Sequence, residues 1–211
     1  MAAGETAARA HDRSGNDVLR RLRSGTAREH EDVEHTLALL DPGLERSRLT
    51  DVLDRMHGFW VAAEAGLDRW GSQYPQDAAA VDWPRRRRAG LFAADLAALG
   101  GTPTGDEPHL PAVNGTDAAL GRLYVLEGST LGGVVIDRHL ASLPQVADVR
   151  LRAFTPYGSE TGAMWAAFRR VTRARVDAGG DADAMIDSAR GTFRALAAWC
   201  RPAASAQALP A

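Results

Sequence analysis

The stretch from Leu123 to Ile136, Leu-Tyr-Val-Leu-Glu-Gly-Ser-Thr-Leu-Gly-Gly-Val-Val-Ile, constrains this chain more than any other. Glu127 is its only charged residue, so it reads as buried, and its length and flanks (Asp117 and Leu120 before it, Asp137 and Leu140 after it) favour a helix over a strand. A buried helix should avoid glycine, yet Gly128, Gly132 and Gly133 sit in its middle, each costing ~1 kcal/mol relative to alanine. Residues 128 and 132 share a face one turn apart, and the Gly132-Gly133 pair is a natural place for a kink. Main chain can approach a flat partner there with no side chain between. That partner is either another helix or a planar ligand, and by spacing alone helix packing is the commoner explanation.

With 211 residues, 45% of them hydrophobic and 25% charged, the chain can bury a full core as one domain, expected over residues 16–201 between tails at 1–15 and 202–211. A formal net charge of −2 supplies no overall basic field, so no nucleic-acid partner is expected. Cys200 is the sole cysteine and has no partner for an internal disulfide. No uninterrupted apolar run reaches the ~18 residues that span a bilayer, and the N-terminus lacks the apolar core of a signal peptide. The expectation is a cytoplasmic protein without a membrane segment.

The remaining pattern is helical. A first helix is expected from Asn16-Asp17 to about Leu40, stopped by Asp41-Pro42-Gly43, with His30 on the apolar stripe of Leu22, Thr26, Val33 and Leu37 and with Glu34 one turn later. A lone histidine on such a stripe is more often a structural group than a ligand. A second helix follows at Arg46 to Trp70, and a third runs from Pro84 to Gly100-Gly101, where Arg85 to Arg88 read as a solvated face. Asn114 to Asp117 offer caps for the glycine-containing fourth helix. A fifth begins near Ser159-Glu160 and carries Trp165, Phe168 and Thr172 on one side, and a sixth spans Asp181 to Cys200. No period-2 strand or internal repeat is visible, so the class is all-α with about six helices.

Taken together, the first, fourth and fifth helices resemble those of a known family. Leu22 to His30 followed by Glu34, with Thr-x-x-x-His-x-x-x-Glu intact, resembles the proximal helix of haem oxygenases, and Leu126 to Gly133 resembles their distal helix. The likeness is greatest to the bacterial branch often found beside bacteriophytochromes. Phe168-Arg169 and Arg173 are similar to the basic pair that meets the haem propionates, Leu91 to Gly100 to the third-helix string, and Arg190 to Phe193 to the closing helix. The similarity spans about residues 17 to 200, in order.

The resemblance implies a single-domain helical bundle with haem between the first and fourth helices. It implies His30 as axial iron ligand, Glu34 orienting its other ring nitrogen, and Gly128, Ser129, Gly132 and Gly133 on the opposite haem face. Arg23, Arg169 and Arg173 would hold the propionates. In that family haem is both cofactor and substrate, and dioxygen opens its ring to give biliverdin, carbon monoxide and ferrous iron. Nothing here resembles a flavin or nicotinamide site, so electrons would come from an external reductase or ferredoxin. A bacteriophytochrome is the candidate biliverdin acceptor.

The chain departs from the family pattern at Ser129, where many animal members carry Asp, and at Ala27, where many carry a further basic residue. Two other readings stay open: a non-catalytic haem carrier, and a di-iron oxidase of similar fold built on Asp32-x-x-His35 and Asp54-x-x-His57.

Overall fold

The computed structural model describes residues 18–201. The two expected tails and the expected start at Asn16-Asp17 lie outside the described residues. Helix α1 occupies residues 18–25 and α2 runs Ala27–Leu37. They form one rod with a hitch at Thr26, whose ψ of 5° leaves helical geometry while its carbonyl still accepts from the His30 N–H at 2.9 Å. The cause is local: Thr26 Oγ1 donates back to the Leu22 carbonyl at 2.7 Å, a bond that bends helices. The helix ends earlier than the expected Leu40 because Ala38 turns left-handed (φ 48°) and returns its N–H to Glu34.

Helix α3, Arg46–Gln73, buries the expected stripe of Leu49, Leu53, Met56, Trp60, Ala63 and Leu67. A short α4 (Pro75–Ala80) and a 3-10 turn (Trp83–Arg86) occupy the connection, and α5 runs Ala89–Ala98. The third helix therefore starts later than Pro84, and the solvated face expected for Arg85 to Arg88 is corrected: Arg86 and Arg88 are buried. A 3-10 turn winds more tightly than an α-helix, so the phase of four successive arginines is reset before α5 begins.

The glycine-containing helix is α6, Gly115–Ser142, helical throughout, including Gly132-Gly133. Its Asn114 side chain makes no capping bond, and Asp117 pairs with Arg175 instead. A 3-10 turn (Gly158–Glu160) leads to α7, Thr161–Asp177, and α8 spans Ala182–Cys200. The Asp181 side chain caps α8 by accepting from the Asp183 and Ala184 N–H groups. No strand occurs among the described residues.

Helix α6 is the axis of the bundle. It crosses α8 closely at Gly121, where a Cβ would overlap the Met185 carbonyl, and α2 packs on α8 as well. By length and composition α6 is apolar enough to cross a membrane, contrary to the sequence expectation, but 56% of its most apolar window is buried inside the bundle. Its first half is core as expected. Its second half is not, since Leu131, Val134 and Val135 are exposed.

Candidate functional site

Helices α2 and α6 both lie on α8 but make little contact with each other. They meet where the Tyr124 hydroxyl reaches Thr26, and again where His139 Nε2 lies 3.1 Å from the Asp41 carbonyl oxygen. Asp41 follows Thr26, and His139 follows Tyr124, by the same fifteen residues, roughly 22 Å along a helix. The two segments thus run side by side in one direction and frame a slot.

The register places His30 and Glu34 one and two turns beyond Thr26, and Gly128 and Gly132 one and two turns beyond Tyr124. A Cβ on Gly128 or Gly132 would meet nothing within 4 Å, so this face of α6 is bare main chain. Exposed Leu131 and Val135 flank it. Gly133 lies roughly 100° further round the helix, and a Cβ there would overlap the Phe154 carbonyl oxygen. It is a packing glycine, and its expected place on the open face is corrected.

His30 does not lie in the core. Its side chain is 55% exposed, because Val33 and Leu37 carry the buried stripe of α2 and His30 falls at its edge, with the ring against Phe193 at 5.6 Å. Its Nδ1 stands 3.6 Å from Glu34 Oε2. Nε2 is left for the slot. The neighbouring Glu29 anchors α2 by accepting from Arg194 at 2.7 Å.

Beyond the Thr26–Tyr124 contact the wall is aromatic and basic. Tyr124 lies 6.0 Å from Trp165, which stacks on Phe168 at 5.3 Å. Arg169 follows Trp165 by one turn; it is half-buried, and its Nε has no partner. Arg173, a turn later, is half-buried too, while Arg23 is exposed and close enough to act on the Tyr124 hydroxyl.

A buried polar cluster lies behind the glycine face. Glu127 pairs with Arg86 and accepts from the Tyr157 hydroxyl at 2.8 Å; burial pushes its carboxyl above the usual range, against the pull of those partners. Arg88 Nη2 donates to Ser129 Oγ at 2.9 Å, and Ser129 itself donates to the Leu126 carbonyl at 2.7 Å. Glu64, on α3, accepts from the Arg88 and Ala89 N–H groups at 2.6 and 2.9 Å and caps α5 across the bundle. Sequence reasoning missed Arg88 as a neighbour of Ser129. Only the four-arginine run signalled it, and a run carries no phase.

The residues of the di-iron alternative are otherwise engaged: Asp32 pairs with Arg201, and Asp54 accepts from the Thr104 backbone and hydroxyl. Among the described residues no three of His, Cys, Asp and Glu come together as a metal-binding group. A cavity of about 230 Å³ between Val81, Arg85, Glu160 and Met164 lies outside the slot, lined by none of the slot residues.

A helical bundle in which one histidine-bearing helix faces a bare glycine stretch across a slot has the haem oxygenase fold. The crystal structures of the NO- and CO-bound haem oxygenase from Neisseria meningitidis match it with a TM-score of 0.69 at 22% identity, over 87% of this chain and 89% of that one. No family model and no curated protein matches the chain by sequence.

Proposed function

We propose that this chain is a haem oxygenase that binds haem in the α2–α6 slot and opens its ring with dioxygen and external electrons to biliverdin, carbon monoxide and ferrous iron. One observation carries the reading: His30 stands one turn beyond Thr26, level with the bare stretch at Gly128 and Gly132, in a haem-oxygenase fold. A non-catalytic carrier needs the histidine but has no use for bare main chain opposite it.

The residues fit the group chemically. His30 supplies a neutral imidazole nitrogen as axial ligand, and Glu34 favours the tautomer that keeps the proton on Nδ1. Gly128 and Gly132 admit a flat ring and leave room for a small gas, while Leu131 and Val135 offer apolar contact. Arg169, whose Nε lacks a partner, together with Arg173 and Arg23 suits carboxylates at the slot's edge. When bound, haem supplies the redox-active iron and is itself the substrate. The protein's part is to orient the ring, keep bulk water from its buried face and position protons. A reductase or ferredoxin is the proposed electron donor, and a bacteriophytochrome the proposed acceptor of biliverdin.

The His30→Ala variant tests the ligand. It should fold normally and lose the wild-type haem spectrum and turnover, with added imidazole restoring part of both. An unchanged spectrum moves the ligand elsewhere, His139 being the next histidine along the slot.

A further inference from the structure

Two buried N–H donors near the glycine face have no partner: Nη1 of Arg88 and the indole Nε1 of Trp60. Arg88 is 3% exposed and Trp60 1%. The Arg88 guanidinium carbon lies 4.7 Å from the centre of the indole ring, so both unmet donors fall in one small region. Native structures rarely leave one buried donor unmet, and two together call for a shared lone-pair acceptor.

That acceptor is a water or a small anion, and charge decides between them. The guanidinium groups of Arg86 and Arg88 are faced by two carboxylates: Glu127 pairs with Arg86 and acts on Arg88 at longer range, and Glu64 takes the Arg88 main-chain N–H and also faces its side chain. Tyr157, the remaining titratable group in the cluster, is spent on Glu127. Two cations against two anions leave no charge for an extra anion to balance. A neutral water satisfies both donors and keeps two protons of its own to give.

Ser129 is not free to do this work. Its hydroxyl proton goes to the Leu126 carbonyl and one lone pair to Arg88. We propose that Arg88 and Trp60 hold a single buried water beside Ser129, and that this water, rather than the serine hydroxyl, presents protons to the glycine face. The second half rests on the haem reading above; the first does not.

Nitrogen-15 NMR of the indole groups in the haem-free protein tests the site. The Trp60 N–H resonance, recognised by its loss in Trp60→Phe, should show a cross-peak to long-lived water, and Arg88→Met should abolish it. Absence of that cross-peak in the wild type overturns the proposal. So does a Trp60 resonance that moves when bromide replaces chloride, which would make the acceptor an anion. For the second half, haemin is added and the acid–alkaline transition of the ferric complex is followed in wild type and Trp60→Phe. A midpoint displaced by half a pH unit or more supports it, and an unmoved midpoint overturns it. If no Soret band forms, the haem reading fails and takes the second half with it, while the NMR result decides the site by itself.

Discussion

A Cβ built on Gly132 meets open space, whereas one built on Gly133 overlaps the Phe154 carbonyl oxygen. Neighbours in sequence, they do different things. Replacing Gly128 or Gly132 by valine adds a side chain where nothing resists it, and the helix-propensity change is only about 0.5 kcal/mol. Both variants should melt close to wild type yet bind haemin poorly. Gly133→Ala should do the reverse in kind, losing about 1 to 3 kcal/mol to overpacking against main chain. Thermal unfolding alongside haemin titration separates the two behaviours; a stable Gly133→Ala protein, or Gly128→Val and Gly132→Val variants with full affinity, would contradict the assignment. The sequence makes all three glycines conspicuous but cannot say which way each points. Likewise the spacing of His30 and Glu34 is legible, but the exposure of His30 is not, because a residue at the edge of an apolar stripe falls to core or slot according to which helix packs beside it.

At the scale of elements, α3, α7 and α8 follow from their apolar periods, and the Asp181 cap follows from residue type. The start of α5 does not, since it is set by Glu64 reaching over from α3 to the Arg88 and Ala89 N–H groups, a contact between residues far apart in the chain. Burial raises the Glu64 carboxyl above its ordinary value near 4.5, although those two N–H groups and the charges of Arg87 and Arg88 pull the other way. Between 4.5 and the raised value the folded chain binds more protons at this site than the unfolded chain, so rising pH removes stability across that window. Glu127 and Asp95 are raised by burial too and act in the same sense. Asp117 is buried but held below its ordinary value near 3.8 by Arg175, and its opposite effect lies below that pH. The melting temperature should therefore fall as pH rises from about 4.5, and Glu64→Gln should flatten part of that fall. A melting temperature that climbs through the window, or a variant with an unchanged slope, would show that Glu64 is not a proton-linked cap.

On the scale of the whole molecule, the bundle holds two helices apart on a third, joined at Thr26–Tyr124 and at Asp41–His139, with bare main chain facing an imidazole between those contacts. The family motifs were readable in order along the chain, and the haem-oxygenase fold accords with them. The slot's frame was not readable, because both joining contacts are tertiary, and one uses a main-chain carbonyl that carries no residue signature. Titration of the purified chain with haemin, followed by an electron donor under air, tests the central claim most directly. The account expects a Soret band that saturates at one haem per chain and is absent in His30→Ala, then bleaches under reductant and oxygen as biliverdin and carbon monoxide appear. A band that persists unchanged under those conditions, or no saturable band at all, would contradict it.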